Sequence, residues 1–202
     1  ANIGKVIAIR KDLPSLLKAY AAAGSDARMN GCELPVVINS GSGNQGLTVS
    51  VPLIVYAERE HLDKEKLYRA LVISNLTAIH LKTEIGRLSA FCGAVSAGAA
   101  CGAGLAYLKD ASEEVMNHTI VNALAITSGI ICDGAKASCA AKIAVSVEAG
   151  ILGYDMYMNG QQFYGGDGII SKGIENTIHN IGVLGSQGMA STDQEIIKIM
   201  CE

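Results

Sequence analysis

Three cysteines stand out as a set able to do chemistry together. Cys92, Cys132 and Cys139 recur at a long and then a short interval, and the last two bracket the stretch ICDGAKASC. Three thiolates are one short of a closed four-cysteine metal site. They suit an iron–sulfur cluster with one iron left open for substrate. If Asp133 caps a helix, Cys132 lies just outside it and Cys139 falls within its second turn. On one straight helix the two sulfurs would be separated by about 10 Å along the axis, so a cap or kink between them is required, and Gly134 permits one. Lys136 and Lys142 add positive charge that would stabilise thiolates, an anionic cluster or an anionic substrate. Of the two, Lys136 is the candidate for electrostatic support of catalysis.

The other cysteines read differently. Cys32 and Cys101 are expected to fill the core, as unpaired cysteines commonly do. Cys201 is expected to be a surface thiol near the chain end, with a protective extra ligand as its alternative role. His61, His80, His118 and His179 show no metal-ligand spacing with cysteines or carboxylates.

A second motif, NSGSGNQG, runs from Asn39 to Gly46. Alternating glycine and small polar residues let successive N–H groups point into one concavity beside hydroxyl and amide donors. Asn39, Ser40, Gly41, Ser42, Gly43 and Asn44 are therefore candidates for holding a carboxylate, an amine or a phosphate. A helix starting near Gln45 would turn its positive end toward the anion. The glycine spacing fits neither the dinucleotide fingerprint nor a phosphate-binding P-loop.

The elements that must position these residues are helical. The 202 residues are 50% apolar, with 23 Gly, no Trp and two Phe. Such a bias suits helices that approach closely through glycine and alanine. Helices are expected over Asp12–Ala23 with Gly24 as a stop, Gln45–Glu58, Asp63–Lys82 behind Asp63 as cap, Gly86–Leu108, Ser112–Ile131 and Asp133–Ala149. The tail is expected to form one helix from Asp167 to about Ile181, a glycine-rich turn, and a last helix opened by Ser191 or Thr192. Pro52 argues against a central strand in the second of these segments. The predicted fold class is all-α, a compact helical domain spanning 1–202 with Ala/Gly-rich buried helices.

Composition excludes several functions. A net charge of -3 with scattered Lys and Arg gives no footprint for nucleic acid. The uncharged run from Phe91 to Leu108 is made chiefly of Ala, Gly, Ser and Cys without flanking aromatic belts, which points to a buried helix and not a membrane span. Six irregularly spaced cysteines indicate reduced thiols and a cytoplasmic setting. Small-residue helix surfaces admit a homodimer.

The segments NSGSGNQGLTVSVPLIVYA (39–57), FCGAVSAGAACGAGLAYL (91–108) and ICDGAKASCAAKIA (131–144) together resemble the iron–sulfur-dependent L-cysteine desulfidase family, which is related to the α domain of bacterial L-serine dehydratases. The resemblance runs from ARMNG (27–31) to the final helix. It implies an all-helical, serine dehydratase α-like domain and a four-iron four-sulfur cluster on Cys92, Cys132 and Cys139. It also implies β-elimination without pyridoxal phosphate, from L-cysteine to pyruvate, ammonia and sulfide, or from L-serine to pyruvate and ammonia. Members of that family are about twice as long, so the chain corresponds to a C-terminal cluster-binding half. A missing N-terminal half or partner subunit would supply the general base, and this half alone is expected to be inactive. A cluster-free module that binds a small anion or mediates assembly is the alternative.

Overall fold

The helices begin where the sequence provides side chains that can accept the first free N–H groups. In the computed structural model, which describes residues 1–202, Asp12, Ser42, Asp63 and Ser112 each accept a hydrogen bond from the backbone N–H three positions on. Nine α-helices follow in the order α1 (Ile3–Ile7), α2 (Leu13–Met29), α3 (Gly43–Arg59), α4 (Lys64–Ile85), α5 (Gly93–Leu108), α6 (Glu113–Thr127), α7 (Cys139–Met158), α8 (Ile174–Val183) and α9 (Ala190–Cys201). A short 3-10 turn follows α1, and a π-helical turn at 184–188 joins α8 to α9. The chain is all-α. No helix is long and apolar enough to cross a membrane.

The centre is α5, which contacts α3, α4, α6 and α7. Only Gly93 and Tyr107 of this helix escape full burial. Its glycines allow that enclosure. A Cβ on Gly98 would lie 2.3 Å from the Ser146 carbonyl oxygen, and one on Gly102 would lie 2.8 Å from the Gly150 Cα. The backbones of α5 and α7 therefore touch where any side chain would force them apart. Larger side chains fill the rest of the core, among them Leu53, Leu81, Ile85, Phe91, Leu124, Ile143, Val147 and Ile181.

Several boundaries differ from the sequence reading. Helix α2 runs through Gly24, which packs on Leu47, and ends five residues later. Residues 86–92 are not helical, because Gly86 adopts φ 88° and Phe91 instead forms an isolated antiparallel bridge with Ile131. That bridge also ends the preceding segment early, so α6 stops at Thr127. Asp133 caps nothing. Helix α7 starts at Cys139 behind Ser138, and the carboxylate of Asp133 is instead taken by Lys142. The tail helix starts at Ile174 and not at Asp167. The glycine-rich turn expected after it remains helical, because Gly185 packs against Ile85 and Phe91. Helix α9 opens at Ala190 without a side-chain cap. Cys101 is buried, as expected of a core thiol, whereas Cys32 is exposed.

Candidate functional site

The start of α5 is where the chemically suggestive residues gather. Cys92 is its N-cap. The Phe91–Ile131 bridge carries Cys132 to it, through hydrogen bonds from Cys92 N–H to the Ile130 carbonyl (3.1 Å) and from Cys132 N–H to the Ala90 carbonyl (2.6 Å). The two thiols are close enough that each shifts the other's proton affinity. Cys139 opens α7, its sulfur 3.4 Å from the Lys136 backbone N–H and 3.5 Å from the Gly134 carbonyl oxygen. Lys142, one turn further along α7, feels the charge of both Cys92 and Cys139. Its ammonium bonds the Asp133 carboxylate and, at 3.0 Å, the Ile131 carbonyl.

The electrostatics separate the paired thiols. Donation from Cys92, the Gly134 N–H and the charge of Lys142 lower Cys132 to about 6. Cys92 is driven far upward, since it holds the shared proton and is more deeply buried. Partial burial pulls Lys142 down, but its bond to Asp133 and the nearby thiols outweigh that and hold it above its ordinary value.

A four-iron cluster on these residues can be judged by its donor set. Cys139 receives the Lys136 backbone N–H at 3.4 Å, and Cys92 and Cys132 stand at the ends of the two segments that the Phe91–Ile131 bridge joins. Backbone N–H groups directed at sulfur stabilise thiolates and tune the clusters that thiolates hold. No three His, Cys, Asp or Glu side chains are grouped so as to hold a metal ion. The three cysteines therefore do not form a single-ion site; as thiolate donors beside Lys142 they are of the chemical type that holds iron–sulfur clusters.

The Gly-Ser turn lies on the same end of the molecule. Asn39 and Ser42 pair by two backbone bonds, and Ser40 and Gly41 between them take φ 49° and 84°. Asn39 is spent on structure, donating to the Asn75 carbonyl (3.2 Å) and side-chain oxygen (3.0 Å) on α4. Ser42 caps α3. Asn44 accepts from the Arg28 guanidinium at 2.7 Å, and that guanidinium lies against Gly43. Gln45 reaches α5: a Cβ on Gly93 would sit 2.5 Å from its amide nitrogen, and its buried side-chain oxygen has no hydrogen-bond partner.

Turn and thiols are linked by a residue that sequence reasoning missed. Lys82, near the end of α4, is 5% exposed. Burial lowers its pKa, and the charges of Cys132 and Cys92 oppose that shift. It lines a cavity of about 500 Å³ with Ile38, Ser40, Gly41, Thr83 and Arg87. A lysine within an amphipathic helix reads as solvated from its neighbours alone, so no local signal marked it. Lys136, by contrast, has an exposed side chain, and its contribution to the thiols is its backbone N–H. Among the histidines, His80 and His179 pair with Glu175 and Glu84, and His118 stacks on Tyr157.

An all-helical chain with cysteines and a glycine-serine turn at helix starts is what the sequence reading expected of a serine dehydratase α-like domain, and comparison with known families agrees with it. The family model for the serine dehydratase alpha chain matches residues 1–198, and the chain belongs to that family. Among its relatives, a UPF0597 protein of Desulfitobacterium hafniense is 64% identical over 99% of this chain and 47% of its own length. UPF0597 proteins of Finegoldia magna and Lachnoclostridium phytofermentans are 53% and 57% identical, over 99% and 94% of this chain and 48% and 45% of theirs. The chain thus spans about half the length of these relatives. No solved structure matches it.

Proposed function

We propose that this chain is the cluster-binding part of an iron–sulfur-dependent β-eliminating lyase, and that its substrate is L-cysteine, converted to pyruvate, ammonia and sulfide. The observation that carries the reading is that the Phe91–Ile131 bridge brings Cys92 and Cys132 together at the start of α5, while Lys142, one turn beyond Cys139 on α7, is acted on by the charge of Cys92 and Cys139. Membership of the serine dehydratase alpha chain family supports a lyase-type enzyme and keeps L-serine as the second substrate reading.

On this reading Cys92, Cys132 and Cys139 would hold a four-iron four-sulfur cluster, which when bound supplies a Lewis acid for the leaving sulfur or hydroxyl. The residues of this chain position the substrate. The turn 39–44 and the start of α3 face the amino-acid backbone with N–H groups that the helix itself does not use. Lys142, fixed by Asp133, offsets the negative charge around Cys92 and Cys139. A base takes the proton from Cα as the Cβ–S bond breaks; the half of the relatives' length beyond this chain is where we assign it. The resulting aminoacrylate tautomerises and takes up water to give pyruvate and ammonia, so no pyridoxal group is required.

Anaerobic reconstitution with iron and sulfide tests the reading. The chain should become brown and carry acid-labile sulfide, and Cys132→Ser should abolish both. A colourless wild-type chain without bound iron would overturn it. Joining the chain to the rest of a relative, then comparing sulfide release from cysteine with pyruvate release from serine, decides the substrate.

A further inference from the structure

Lys82 is a largely buried lysine whose ammonium opens onto a cavity and has no carboxylate partner there. The polar groups that line its cavity favour an anion. The cavity it lines has Arg87 as a second cation, the Thr83 and Ser40 side chains as polar lining, and the open backbone of Gly41 as a wall that no side chain obstructs. No acidic residue lines that cavity. The two thiols that act on Lys82 place the same ammonium beside the cysteine pair.

We propose that the cavity between the 38–41 turn and the end of α4 is a carboxylate subsite, in which Lys82 forms the charged contact and Arg87 guards the mouth. This rests on the elimination reading and makes it more specific: a small 2-amino or 2-oxo acid is held by its carboxylate at Lys82, so that its third carbon is directed toward Cys92 and Cys132. The glycine-serine turn then shapes the subsite while Lys82 supplies its charge. Charge-assisted bonds of this kind dominate recognition of small carboxylates.

The test uses pyruvate as probe, bound to the iron-free chain and followed by calorimetry, so that no cluster is needed for the readout. Wild type should bind pyruvate and discriminate against its uncharged methyl ester. Lys82→Met should weaken pyruvate by about tenfold or more, as expected for loss of one charge-assisted bond, with Lys82→Arg recovering part of the loss. Arg87→Gln, at an exposed position, should weaken it by a smaller factor and decides the matter should Lys82→Met fail to fold. Equal binding of acid and ester, no binding by wild type, or unchanged affinity in the Lys82→Met and Arg87→Gln variants would each overturn the subsite. A changed alkylation rate of Cys132 in Lys82→Met, with pyruvate affinity intact, would make Lys82 a counter-ion of the thiols alone and overturn it too. If the chain takes up no iron yet binds pyruvate through Lys82, the lyase reading fails and the subsite stands.

Discussion

Two glycine-rich stretches of this chain look alike as text and do opposite work. In α5 the glycines remove side chains so that helices can touch; Gly98 and Gly102 lie against Ser146 and Gly150 of α7 with no room for a methyl group. In the turn 39–46 they do three separate things. Gly46 lets the Val37 carbonyl approach, Gly43 makes room for the Arg28 guanidinium, and Gly41 supplies φ 84° over open space. Glycine content alone therefore marks neither scaffold nor site. What distinguishes them is the neighbour each missing Cβ would meet.

Substitutions should separate the two kinds of glycine by size of effect. Gly98→Val drives a side chain into the α7 backbone, and overpacking of this sort costs about 1–3 kcal/mol or more; thermal unfolding should show the largest fall of the series, with loss of the native state an acceptable extreme. A Tm equal to wild type would mean that α5 and α7 are not in backbone contact. Gly46→Ala places a methyl 1.7 Å from the Val37 oxygen. Because Val37 and Ile38 are exposed and can shift, the expected cost is nearer about 1–2 kcal/mol, with any ligand affinity of the turn falling more than stability. Gly41→Ala meets nothing within 4 Å, so only its backbone conformation is strained, for about 1 kcal/mol. Should Gly41→Ala prove as damaging as Gly98→Val, the turn would be packed rather than open.

The thiols sharpen the same contrast. Cys101 lies within α5, fully buried, and burial alone drives its pKa up. Cys132 lies at the site and is lowered to about 6 by donation from Cys92. A lowered acid is mostly anionic above its folded value, so in iron-free protein alkylation of Cys132 should rise through pH 6 and level off near neutrality, while Cys101 stays unreactive until unfolding. Peptide mapping after brief iodoacetamide treatment checks this. Equal labelling of both would contradict the assigned environments.

The sequence made some of this legible and concealed the rest for identifiable reasons. The caps Asp12, Asp63 and Ser112 are local signals, and they mark the helix starts they were expected to mark. The start of α3 behind the Gly-Ser turn was legible too, since its signal is also local. Asp133 carried the same signal and does something else, because Lys142 competes for its carboxylate across the start of α7. The extended segment before α5 was hidden, since the bridge from Phe91 to Ile131 joins residues far apart in sequence. Lys82 was hidden for the same reason: the cavity it lines is shared with a turn some 40 positions away, and nothing in its own helix announces it.

Iron and acid-labile sulfide, measured after anaerobic reconstitution of wild type, Cys132→Ser and Cys101→Ala side by side, test the central proposal most directly. Wild type and Cys101→Ala should hold iron and sulfide in equal amounts while Cys132→Ser holds neither. Iron retained without Cys132, or absent from wild type, would contradict a cluster between the starts of α5 and α7.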